Sequence, residues 1–152
     1  MKKPLMILVC IVFVAAALSG VYAQFAKPQD AIKYRQSVMF LIGQHFGRMG
    51  AMIKEQIPYN QQVFSHNAMV VETLSRLPWE AMMSPGTDKG DTRMTAAVFE
   101  KQTEFKEDAQ TFETQAAKLA STAQSGDFKA IKTQFGEVGK RCKACHDRFR
   151  TK

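Results

Sequence analysis

Cysteine is scarce in this chain, with three in 152 residues, and Cys10 does not belong with the other two. It lies inside MKKPLMILVCIVFVAAALSGVYA, where Lys2 and Lys3 precede an apolar run from Leu5 to Leu18 and a small-residue site at Val21-Tyr22-Ala23. That order of parts is a secretory leader, expected to be cleaved before Gln24. Its apolar run falls short of the roughly 20 residues that cross a bilayer core. No membrane anchor is therefore expected after cleavage, and Cys10, inside the run rather than after a small residue at its end, is not read as a lipid attachment point. Only Cys142 and Cys145 remain, which excludes a disulfide framework.

Sustained strand alternation is missing too, and so is any block of one charge. Without the leader, 19 Lys and Arg stand against 14 Asp and Glu, a formal charge of +5 spread along the chain. A basic stripe with interleaved aromatics is absent, so nucleic acid is not an expected partner. The 152 residues less the 23 of the leader leave 129, enough for one domain with its own core and too few for two.

Helical periodicity is what the chain has. A first helix is expected from Pro28 to about Gln56, with Ile32, Arg35, Met39, Ile42, Phe46, Met49 and Ile53 on one line. A second follows the cap residue Asn60 and carries Val63, Asn67, Val70, Leu74 and Leu77, stopping at Pro78. Pro78 to Thr92 reads as a long irregular loop. A third helix, about Arg93 to Ala123, aligns Val98, Phe105, Ala109, Phe112, Ala116, Leu119 and Ala123. A fourth aligns Phe128, Ile131, Phe135, Val138, Cys142, Cys145 and Phe149. Four stripes with short links predict an all-α, antiparallel four-helix bundle.

The chemistry is concentrated in Cys142-Lys-Ala-Cys145-His146. At about 100° per residue, Cys142, Cys145 and His146 span roughly 100° of the helix surface and are expected to face the interior together. A structural zinc needs four ligands and finds three here, unless His45 or His66 is recruited from another helix. A thioredoxin-like thiol pair expects a βαβ context that this chain lacks. Two buried cysteines with a chance histidine is the plainest alternative. A c-type haem needs this Cys-x-x-Cys-His order, and helix bundles hold cofactors between facing helices, so haem is the favoured reading.

Four stretches, QFAKPQDAIKYRQS, QHFGRM, PWEAMMSPGT and FGEVGKRCKACHDRFR, carry a further resemblance over essentially the whole chain after the leader. It resembles the cytochrome c-prime family. The resemblance implies one haem c per subunit, covalently held by Cys142 and Cys145 near the end of the last helix, high-spin, with His146 as the only strong protein ligand to iron. It implies a periplasmic location, binding of nitric oxide and carbon monoxide, a role in nitric oxide scavenging or tolerance, and homodimers through the first two helices. Val38, Met39, Phe40, Leu41 and Ile42 in succession give the first helix more apolar surface than one face buries, which also favours self-association. Electron exchange with small periplasmic redox partners is compatible with the same haem.

By the same resemblance Arg35 and Gln36 touch the haem edge and propionates, and Thr87 and Asp88 lie on the loop beside it. Asp88 is one methylene shorter than the glutamate often found in the family. Arg150, four residues beyond His146, lies near the haem on the histidine side. Met39 falls opposite, over the other face of the iron. Three readings of it stay open: an apolar cover without a bond to iron, a sixth ligand that makes a low-spin electron carrier, or core filler. His45 and His66 sit off the central lines of their helices and read as surface histidines. No acid or base accompanies Met39, so no enzymatic role is expected. The exported protein is expected to have the mass of a chain beginning at Gln24 plus one haem. Acidic organic solvent should fail to extract that haem after denaturation; extraction would mean that Cys142 and Cys145 do not hold it covalently.

Overall fold

A computed structural model describes residues 24–151, and the expected leader, residues 1–23, lies outside the described residues. Helix α1 (Pro28–Ile53) starts where Lys27 is extended and Pro28 takes the first helical position; Asp30 in the first turn complements the helix dipole. It stops three residues before the expected Gln56 because Glu55 adopts a left-handed φ of 58°. Helix α2 (Gln61–Ser75) is capped as expected: the Asn60 side chain accepts from the Val63 amide at 2.9 Å.

The connection after α2 differs from the expected bare loop. A short helix, α3 (Trp79–Met83), forms within it. The expected third helix also starts late, with one turn, α4 (Ala97–Glu100), and a break at Lys101 before the long α5 (Gln102–Ser125). Arg93 to Thr95 are spent elsewhere. Met94 forms an antiparallel bridge with Arg150; the Thr95 amide donates to the Phe149 carbonyl at 3.0 Å and the Thr151 amide to that of Arg93 at 2.8 Å. Backbone groups engaged across the molecule cannot also close helical turns along it. Gly126, with φ 77°, ends α5, and the Asp127 carboxylate caps the Ala130 amide to begin α6 (Phe128–Phe149).

The long helices α1, α2, α5 and α6 form the four-helix bundle expected from the sequence. Helices α1 and α2, α2 and α5, and α5 and α6 pack along their lengths, whereas α1 and α6 hardly meet. Their main junction is a stacked ring pair, Phe46 on Phe135, with centroids 4.1 Å apart. Gly50 lies against the Phe135 ring: a Cβ there would meet it at 3.4 Å. Above this pair the two helices are held apart by the cavity described below.

The stripes of α5 and α6 are as expected, with Phe105, Phe112, Leu119, Ile131, Val138 and Phe149 all buried. On α2 the buried line is rotated by about one residue. Phe64, Asn67, Ala68 and Val71 are buried, while Val63 and Leu77, both expected inside, are 45% and 38% exposed. Burying the larger aromatic gains more than burying valine, and Phe64 also meets Phe135 and Tyr59 at ring distances of 6.4 and 5.9 Å. Phe64→Ala is accordingly expected to lower unfolding stability by about 3–5 kcal/mol in denaturant titration, and Val63→Ala by about 0.5 kcal/mol or less. Similar losses from both would show the rotation to be wrong.

Candidate cofactor site

The gap between α1 and α6 encloses a cavity of about 630 Å³, within the range of roughly 300–1,000 Å³ usual for ligand sites. Helix α1 supplies one wall with Met39, Phe40, Ile42, Gly43 and Phe46, and with Arg35 and Gln36 at its edge. Helix α6 supplies the facing wall with Cys142, Cys145, His146 and Phe149. Trp79, Met82, Thr92 and Met94 come from the α2–α5 connection, and Val98, Phe105 and Phe112 close the remaining side.

Cys142 and Cys145 are unpaired and half-buried. Burial pushes each thiol up to about 11, with Asp108 adding to the effect on Cys145. They are neutral thiols at ordinary pH. His146 shares their cavity but sits at its mouth, more exposed than the sequence suggested. Partial burial lowers its proton affinity, and Arg150 and Arg93 lower it further against the pull of Asp147. The neutral imidazole, the form that binds a metal, is thus favoured.

Arg35 is the most constrained polar group. It is 3% exposed, and its Nη2 donates to the Thr87 carbonyl and to Thr92 Oγ1, both at 2.6 Å. Burial lowers its pKa, partly offset by the nearby Asp88. Its Nη1 is buried without a partner, and so is Trp79 Nε1. Two orphaned donors, each on a side chain of the cavity wall, suit a ligand that brings anionic acceptors. Gln36 is exposed and donates to the Asp91 carbonyl at 2.9 Å.

Of the expected residues, Cys142, Cys145, His146, Arg35, Gln36, Met39 and Arg150 line one cavity. Thr87 and Asp88 do not. The Thr87 hydroxyl donates back to the carbonyls of Ser84 and Met82 at 2.8 and 3.3 Å, and its own carbonyl serves Arg35. Asp88 acts on Arg35 through its charge. Thr92, Met94, Arg93 and Arg141 line the cavity without having stood out in the sequence, for only the folding of the connection brings the first three there. Asp108 also faces the cavity, paired with Arg148. His66 is exposed, but His45 is not a plain surface residue: half-buried, it meets Asn67 Oδ1 at 2.7 Å. Neither histidine lines the cavity, and among the described residues no three His, Cys, Asp or Glu side chains are grouped to hold a metal ion by themselves.

The family model described as Cytochrome C' matches residues 30–150. The chain belongs to the cytochrome c' family. It is 45% identical over 129 residues to the cytochrome c' of Alcaligenes xylosoxydans xylosoxydans, covering 85% of this chain and 99% of that one. The cytochrome c prime of Shewanella frigidimarina superposes with a TM-score of 0.83 at 41% identity, over 85% of this chain and all of the other. Variants of the Alcaligenes xylosoxidans protein in complex with nitric oxide and with carbon monoxide each superpose with a TM-score of 0.77 at 44% identity, over 85% of this chain and 100% of theirs. Cytochromes c' carry covalently bound haem c. The cavity suits that group: it is flanked by two neutral thiols three residues apart on one helix, an adjacent neutral imidazole, and two buried donors lacking acceptors.

Proposed function

We propose that this cytochrome c' is an exported haem protein that binds nitric oxide and carbon monoxide in the periplasm and serves nitric oxide scavenging or tolerance, without being an enzyme. The observation that carries the reading is the asymmetry of the cavity. Its α6 wall presents Cys142, Cys145 and His146, while its α1 wall is apolar apart from Arg35 and Gln36 at the edge. Haem c, when bound, would supply a redox-active iron able to take a diatomic ligand. Cys142 and Cys145 provide the two thioether bonds, and His146 presents a neutral nitrogen to the metal. Arg35, whose Nη1 is buried without a partner, would donate to a propionate of the bound group, with Gln36 beside it. Thr87 and Asp88 act one step back, the first by holding Arg35 and the second by its charge.

Met39, half-buried on the α1 wall, covers the open side without a bond to iron and limits access to small ligands. The complexes of the Alcaligenes xylosoxidans variants with nitric oxide and carbon monoxide support the same ligands here. Support for export is the leader at residues 1–23. Phe40 at 63% exposure and Leu41 on α1, with Val63 and Met69 on α2, support a homodimer through these helices. Small periplasmic redox partners would exchange electrons with the same haem.

The thioether of Met39 is the specific feature behind a second reading, a low-spin electron carrier with histidine and methionine both on iron. Spectra separate the two. Unliganded ferric and ferrous protein are expected to be high-spin at neutral pH, and Met39→Ala should leave the spin state unchanged. That substitution should speed carbon monoxide binding by about tenfold, the effect of relieving ~1.4 kcal/mol of crowding. A low-spin spectrum with a methionine-to-iron charge-transfer band would replace this proposal with the second reading.

A pH test follows from Arg150. Its cation lowers the proton affinity of His146, so a proton competes poorly with iron and the bond survives to lower pH. Arg150→Glu reverses that sign. In acid titration of the ferrous protein, the midpoint for loss of the histidine should therefore move to higher pH; no movement would show that Arg150 does not act on the ligand.

A further inference from the structure

Beyond the Phe46–Phe135 stack, a polar tie joins the two walls of the cavity, with Thr92 at its centre and the Gln36 bond to the Asp91 carbonyl beside it. Thr92 Oγ1 accepts from Arg35 Nη2 of α1 at 2.6 Å and from the Met94 amide at 3.1 Å. The first bond fixes the segment to α1. The second holds the turn that leads into the small ladder with the C-terminal residues. In that ladder the Thr95 amide donates to the Phe149 carbonyl, the Thr151 amide to the Arg93 carbonyl, and Arg93 Nη2 to the Thr151 carbonyl at 2.8 Å. The Arg150 amide in turn donates to the His146 carbonyl at 3.1 Å. An unbroken run of hydrogen bonds and backbone therefore leads from Arg35 on one wall, through one hydroxyl, to the last turn of α6 on the other.

The last turn of α6 has a second anchor in the Phe149 side chain, buried against Phe105 with ring centroids 5.3 Å apart. That anchor holds the turn by apolar packing, which tolerates small rotations. Backbone hydrogen bonds are directional and weaken steeply when misaligned, so the ladder constrains the turn's angle about its axis, alongside the pairing of Arg148 with Asp108 of α5. Since α1 and α6 hardly meet directly, no broad interface duplicates the tie.

We propose that Thr92 is a positioning residue for His146: by locking the segment of residues 92–95 onto residues 149–151, it sets the angle at which the imidazole is presented to iron and couples that angle to Arg35. The proposal rests on His146 being the iron ligand, as argued above. Thr92→Val keeps the shape of the side chain and removes the acceptor; Thr92→Ser restores it.

The test compares the three holoproteins by amide hydrogen exchange at Thr95 and Thr151 and by the iron–histidine stretching band of the unliganded ferrous state in resonance Raman. Thr92→Val should speed exchange at both amides by about tenfold, as loss of a supporting hydrogen bond implies. It should also shift the stretching band to lower frequency, with Thr92→Ser close to the parent on both readouts. If Thr92→Val does not yield folded haem protein, a chain ending at Arg150 removes the three hydrogen bonds between Thr151 and Arg93 and tests the ladder from its other side, by exchange at Thr95 and by the stretching band. Faster exchange with an unmoved band, or unchanged exchange, would overturn the proposal while leaving His146 as ligand. Absence of the band in a parent protein that is high-spin in the ferrous state would overturn the ligand assignment and this proposal together.

Discussion

The interface that α1 and α6 do not make governs the rest of the molecule. Three of the four neighbouring helix pairs are closed by apolar side chains, and the fourth is closed only at its inner end by Phe46 on Phe135. A four-helix bundle with one seam held apart has a largely apolar cavity between two of its helices. That cavity is what gives a flat, largely apolar group a place in the bundle. The family's covalently bound haem c accordingly belongs to the packing as much as to the chemistry.

A buried cation at the edge of that seam imposes the next constraint. Arg35 loses its hydration shell and recovers two good acceptors from the protein, the Thr87 carbonyl and the Thr92 hydroxyl. One nitrogen remains without a partner, which is costly for a charged group unless an anion arrives. This accounts for the shape of the α2–α5 connection. Thr87 and Thr92 bracket the Arg35 guanidinium, and the turn at Gly90, with φ 85°, lies between them. A segment organised around a side chain 52 residues distant leaves little trace in local sequence pattern.

What could be read from the sequence followed from periodicity and from the Cys142–His146 motif. The stripes of α5 and α6 were legible because Phe105 to Ala123 and Ile131 to Phe149 repeat at three and four with no competing aromatic one residue round. On α2 that competitor exists: Phe64 next to Val63 turned the buried line away from the expected one. The short α3 and the break at Lys101 were hidden because the pairing of Arg93, Met94 and Thr95 with the end of α6 decides them, and no local propensity records a partner so far along the chain. The cavity's α6 wall was therefore predictable from its spacing, as were Arg35 and Met39 by resemblance, while Thr92 and Met94 were not.

One polar contact away from the cavity determines how α1 and α2 are aligned. Asn67, 3% exposed, donates to the Val63 carbonyl at 2.7 Å, so its Oδ1 is left to accept from His45 Nδ1, also at 2.7 Å. That pairing assigns the proton to Nδ1 of the imidazole. Apolar side chains between two helices tolerate a slide of one turn, since methyl groups meet methyl groups in either alignment. A buried amide does not, because displacement would leave it without its acceptor or donor at a cost of about 1–3 kcal/mol. The His45–Asn67 pair thus selects a single register for α1 against α2, and with it the height at which the α1 wall stands opposite α6.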